Sequence, residues 1–142
     1  MIFMARIEKK VDIKASAETI FKIIIDDLEY SRWNIVVKEV SALDGGKFLF
    51  KTTVGDVTST RIETVQNKKI ATTQEGGPIT ALGYDLNPKG DLTEAIVWTE
   101  FEDPNQEAIM SIAGDMFSES LKKYAEYLEA GGNPSEFNKK KK

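Results

Sequence analysis

Hydrophobic and charged residues alternate along Met4–Ile13: Ala5, Ile7, Val11 and Ile13 fall on one face, Arg6, Glu8, Lys10 and Asp12 on the other. A period of two sends successive side chains to opposite faces, so the segment predicts a strand with one buried face. Beyond Ser16, with Glu18 and Thr19 close behind, Ile20, Phe21, Ile24 and Ile25 recur at helical spacing. A hydroxyl there can accept from the free N–H groups of a first turn, so Ser16 predicts the N-cap of a short helix that Asp26-Asp27 ends. A second short turn, Leu28–Arg32, leads to Trp33. The β-branched run Ile35-Val36-Val37, with Val40, then marks the next strand.

Turn residues now recur every several positions: Gly45-Gly46, Gly55-Asp56, Asn67-Lys68, Gly76-Gly77-Pro78 and Asn87-Pro88-Lys89-Gly90-Asp91. They separate strand-like runs over Lys47–Val54, Val57–Val65, Lys69–Gln74, Ile79–Leu86 and Leu92–Phe101. Connections this short predict hairpins, hence an antiparallel meander. After Asp103-Pro104-Asn105 the period becomes 3.6, with Ile109, Ile112, Ala113, Met116, Phe117, Ser120, Leu121, Tyr124 and Leu128 on one stripe. This long helix stops at Gly131-Gly132, with Pro134 beyond. The order implies an α+β fold: a seven-stranded curved antiparallel sheet wrapped around a long C-terminal helix, with two short helices between strands 1 and 2. The concave face is the surface on which the last helix can bury its stripe. Residues 1–133 are expected to form a single domain, and 134–142 a disordered lysine-rich tail.

Composition narrows the chemistry. The net charge of −4 gives no general attraction to nucleic acid, and no apolar run approaches the ~20 residues of a bilayer span. The absence of cysteine and of a signal-like N-terminus points to the cytoplasm. With no histidine and no cysteine, Ser-His-Asp and Cys-His catalysis and the usual zinc sites are excluded. No metal site or cofactor is implied. Any catalysis would rest on Asp, Glu, Lys, Tyr, Arg or water.

Alternation turns Phe48, Phe50, Thr52, Thr72, Leu82, Tyr84, Val97 and Thr99 inward. Small and hydroxylated residues among large ones either pack tightly or leave a cavity, and the pattern does not choose between the two. Arg61, Glu63 and Glu100 read as outward strand charges and Asp26-Asp27 as a solvated helix end. An inward Arg61 would suit a ligand carboxylate.

Several segments resemble the START-like, birch-pollen-allergen-like helix-grip superfamily (SRPBCC), in particular its polyketide cyclase/dehydratase-like branch. They are Val11-Asp12-Ile13-Lys14-Ala15-Ser16, the stretch from Phe21 through Asp26-Asp27-Leu28-Glu29-Tyr30-Ser31-Arg32-Trp33-Asn34, and Ser120-Leu121-Lys122-Lys123-Tyr124-Ala125-Glu126. The resemblance implies an apolar tunnel between sheet and helix that holds a lipid, quinone or polyketide-like molecule. Its expected lining is Ile24, Trp33, Phe48, Phe50, Thr72, Leu82, Tyr84, Val97, Thr99, Ala113, Met116 and Phe117. Where this branch often carries an aromatic residue stands Val97, and Trp98 falls in the outward phase beside Glu94 and Glu100. The leading expectation is a monomer or homodimer that binds a small apolar molecule. The alternatives are a metal-free cyclase/dehydratase-like enzyme and a protein-interaction module that uses an exposed Trp98 and Ile96, like the chaperone-activating relatives.

Overall fold

The computed structural model describes residues 5–53 and 55–140. The expected strand start at Met4, the strand end at Val54 and the last two tail lysines lie outside them. Strand β1 (Ala5–Ile13) is followed by helices α1 (Ala17–Ile24) and α2 (Tyr30–Trp33). Strands β2 (Val37–Ala42), β3 (Lys47–Thr52), β4 (Gly55–Val65), β5 (Lys69–Glu75), β6 (Ile79–Lys89) and β7 (Leu92–Phe101) come next, and helix α3 (Glu107–Glu129) after them. The sheet runs β1-β7-β6-β5-β4-β3-β2 and every neighbouring pair is antiparallel. Short hairpins make β2 to β7 a meander, and β1 closes against β7, opposite α3. This is the helix-grip arrangement.

Ser16 caps α1 as its position predicts, its hydroxyl accepting from the Thr19 N–H at 3.1 Å. The far end of α3 completes that cap: Glu129 accepts from the Ser16 N–H at 3.1 Å and from the Thr19 hydroxyl at 2.7 Å. The core under α3 joins Ile13, Ile20, Ile24, Tyr30, Trp33, Phe50, Ile70, Tyr84, Val97, Phe117, Leu121 and Tyr124.

Three expectations need correction. The buried face of α3 is Met110, Gly114, Phe117, Ser118, Ser120, Leu121, Tyr124 and Ala125. Ile109, Ile112 and Met116 are 50%, 62% and 40% exposed. The cause is Lys9, a strand residue on the same face as Ile7 and Val11. Its stem lies against Gly114, where a Cβ would come 3.1 Å from the Lys9 Cγ. The Lys9 ammonium reaches the Ser111 hydroxyl at 2.8 Å and the Asp115 carboxylate at 3.1 Å. The side of the helix carrying Gly114 is thereby turned to β1, and Ile112 and Met116 are turned away.

Trp98 is on the outer face as its phase predicts, yet only 7% exposed. It lies over Gly83 of the neighbouring strand, where any Cβ would clash with the indole, and Arg6 covers it at 4.5 Å. A flat indole shielded by a guanidinium buries its apolar area within the chain. The expected interaction surface therefore lacks its aromatic anchor.

The expected disordered tail is docked over the described residues 134–140. Phe137 packs against the Tyr124 and Tyr127 rings at 4.8 and 5.0 Å. The Lys139 ammonium donates to the backbone carbonyls of Ser31, Asn34 and Val37. A cation is favourable where carbonyls end a helix, and an aromatic ring contributes more burial than a polar tail can. The lysine run hid both.

Candidate functional site

Between the concave face of the sheet and the N-terminal half of α3 lies a mainly apolar cavity of about 70 Å³. The strands contribute alternate residues: Phe50 from β3, Val57, Ser59 and Arg61 from β4, Ile70, Thr72 and Gln74 from β5, Leu82 and Tyr84 from β6, Val97 and Thr99 from β7. Helix α3 supplies Met110, Ala113, Gly114 and Phe117, and the α1–α2 connection supplies Asp27 and Tyr30. The small side of α3, Ala113 and Gly114, leaves the space unfilled. Eight of the twelve expected lining residues border it: Phe50, Thr72, Leu82, Tyr84, Val97, Thr99, Ala113 and Phe117.

The other four are elsewhere. Ile24 is wholly buried in the core beneath α1, and Phe48 packs at the edge of the same core. Met116 faces away for the reason given above. Trp33, 1% exposed, borders a separate surface groove with Tyr124 and Leu128 and lies parallel to the Tyr124 ring at 6.3 Å.

Polar groups gather at the wall formed by β4, β6 and the α1–α2 connection. Arg61 points inward, contrary to its expected outward placement, and donates to the Asp27 carboxylate at 2.6 Å and the Ile25 carbonyl at 3.2 Å. The signal for it was the alternation itself, since Val57, Ser59 and Arg61 share one phase. Beyond Arg61 the register shifts, and Ile62 is left 62% exposed at the irregularity. Asp27, expected in solvent, has a side chain only 11% exposed. Its pKa is raised, because desolvation by burial outweighs the lowering effect of Arg61.

Two tyrosines complete the cluster. The Tyr30 hydroxyl donates to the Ile24 carbonyl at 2.6 Å. Its ring packs edge-on against Phe50 at 5.5 Å. The Tyr84 ring lies 5.8 Å from Phe117. Burial pushes both phenols well above their ordinary pKa, and each influences the other's titration. Their oxygens nonetheless fall short of hydrogen-bond geometry. The Tyr84 hydroxyl and the Arg61 Nε are both buried without a hydrogen-bond partner among the described residues. Elsewhere the wall is satisfied: Thr72 donates to the Leu82 carbonyl, and Gln74 bridges the Ser59 and Thr72 hydroxyls.

The described residues contain no group of three or more acidic side chains that could hold a metal ion. No helix among them is long and apolar enough to cross a membrane.

A curved antiparallel sheet that grasps one long helix, with an apolar cavity between them, is a helix-grip fold. The chain belongs to the family described as polyketide cyclase/dehydrase and lipid transport, whose model matches residues 4–129. Among solved structures, it is similar to a START superfamily protein from Mycobacterium smegmatis, with 21% identity and a TM-score of 0.75. That match covers 87% of this chain and 98% of the other. The Zhui aromatase/cyclase from Streptomyces sp. R1128 matches at 18% identity and a TM-score of 0.78, covering 92% of this chain and 100% of the other. The Aha1 dimer from Colwellia psychrerythraea matches at 17% identity and a TM-score of 0.65, covering 91% and 99%. At these identities the likeness is one of fold. No curated protein matches the chain.

Proposed function

We propose that this protein binds a small, largely apolar molecule in the cavity between the sheet and α3, oriented by a single hydrogen-bond acceptor on the ligand. The observation that carries this reading is the pair of unpartnered donors, Tyr84 Oη and Arg61 Nε, buried beside an otherwise apolar space. An unmade hydrogen bond at a buried polar atom costs about 1–3 kcal/mol, so two on one cavity wall favour a missing acceptor. Apolar contact supplies the rest, at about 25 cal/mol per Å² removed from water.

The size of the cavity sets a condition. Its 70 Å³ is under half the ~150 Å³ of an engineered cavity that admits benzene. A ring-sized ligand therefore requires a wall to move outward. The N-terminal half of α3 borders the space with two large buried side chains, Met110 and Phe117, and is the wall proposed to move.

Titration with naphthalene, followed by amide shifts in a ¹H–¹⁵N spectrum, tests the reading. Shifts should centre on Tyr84, Val97 and Phe117 and be lost in Ala113→Phe, which fills the space from the helix side. An absence of saturable shifts, or shifts confined to the outer face of the sheet, would overturn it.

A further inference from the structure

The polar wall carries a charge that is already spent. Arg61 offers the cavity a cation, but Asp27 sits on its guanidinium at 2.6 Å, and together they present no net charge. From this we infer that the cavity selects a neutral oxygen acceptor and rejects carboxylates, with Asp27 as the residue that sets this selectivity. The inference rests on the ligand-binding reading above and adds the chemical class of the ligand.

Two opposing effects decide the selectivity. A carboxylate entering an apolar cavity loses its hydration, and only a full unpaired positive charge or several hydrogen bonds offset that loss. Here the guanidinium is engaged and Asp27 adds like-charge repulsion. A second anion would have to displace Asp27 from Arg61 or be protonated itself. A neutral carbonyl has a much smaller hydration to lose and has two lone pairs. The wall offers two donors, Arg61 Nε–H and Tyr84 O–H, with no hydrogen-bond partner of their own. Those donors match a neutral oxygen without disturbing the ion pair.

Asp27 is suited to this role because its neighbours leave it little freedom. Burial already penalises its charge, with Asp26 adding to the penalty and Arg61 opposing it. Its carboxylate is therefore held by Arg61 rather than by water. Removing it would leave the guanidinium with the Ile25 carbonyl as its remaining hydrogen-bond partner and an open cationic site on the cavity.

Three probes of one ring system separate the claims: naphthalene, 2-acetonaphthone and 2-naphthoate, each titrated against the full chain by ¹H–¹⁵N shifts. The native protein should bind the ketone at least about tenfold more tightly than the carboxylate, the scale expected when one charge is left unpaired in a buried site. In Asp27→Asn the ratio of ketone to carboxylate affinity should fall by about tenfold or reverse. Equal affinity for ketone and carboxylate in the native protein would overturn the selectivity and leave the ligand-binding reading standing. A ratio unchanged in a folded Asp27→Asn would remove Asp27 as its cause. If Asp27→Asn does not fold, the native ratio decides. Failure of all three probes to bind would overturn the ligand-binding reading and this inference with it.

Discussion

The two halves of α3 are held in different ways. Its C-terminal half buries Leu121, Tyr124 and Ala125 and is tied to the start of the chain by hydrogen bonds. Lys122 donates to the Asp12 carbonyl, Glu126 accepts from the Lys14 N–H, and Glu129 caps α1. Phe137 packs against Tyr124 from the other side. Its N-terminal half buries Met110, Gly114 and Phe117, leaves Ile109, Ile112 and Met116 in solvent, and is pinned to β1 by Lys9. One end of the helix is an anchor and the other is a cavity wall. The contrast shows how one helix can be braced at one end while its other end borders an unfilled space.

The sharpest test of that contrast is a truncation in the anchor. Leu121→Ala removes a fully buried side chain from the core and should cost about 2–5 kcal/mol, measured by denaturant unfolding. Met110→Ala, at the wall, should cost less than Leu121→Ala because it enlarges a space that already exists. Equal losses would show that the halves are equally braced.

A smaller effect is expected from the docked C-terminal segment. Lys139→Ala leaves three carbonyls without their shared donor and should lower stability by about 1 kcal/mol, with amide exchange rising first in Ser31–Val37. No change in exchange there would mean that the segment is not a brace. At the wall, Gly114→Ala should stabilise by about 0.5 kcal/mol, since alanine favours the helix and the flexible Lys9 stem can give way. It should also slow amide exchange in residues 109–117. A loss of stability instead would show that the close approach of Lys9 to the helix governs this half.

The least of these effects is pH dependence at the anchor. Burial alone would raise the Glu126 pKa, but hydrogen bonds from Lys122 and the Lys14 N–H hold it below its ordinary value. A lowered folded-state pKa means that its contribution is present above the ordinary glutamate range and lost as pH falls through the depressed value. Glu126→Gln should flatten that part of the acid limb of a stability-versus-pH curve. An unaltered limb would show that the anchor does not depend on this charge.

Much of the fold was legible because its signals are local. The period of two in β1, the Ser16 cap, the recurrent turn residues and the switch to a 3.6-residue period each depend on a few adjacent positions. The candidate site was legible where alternation decided it, as at Phe50, Thr72, Leu82, Tyr84, Val97 and Thr99. It was misread where chemical type was set above phase. Arg61 shares its phase with Val57 and Ser59 yet was assigned to solvent because it is charged, and Asp27 with it. Met116 was misplaced for a different reason, since both sides of α3 carry apolar residues.

The amino-acid sequence by itself thus determined the element order, the antiparallel sheet and the grasped helix, because backbone propensity and hydrophobic period act over short range. Tertiary structure alone decided the rest. It set the rotation of α3 through Lys9 and Gly114, the burial of Trp98 over Gly83, the docking of Phe137 and Lys139, and the meeting of Asp27 with Arg61. Each joins residues far apart in the chain, and its energy arises only when packing has brought them together and removed the water between them.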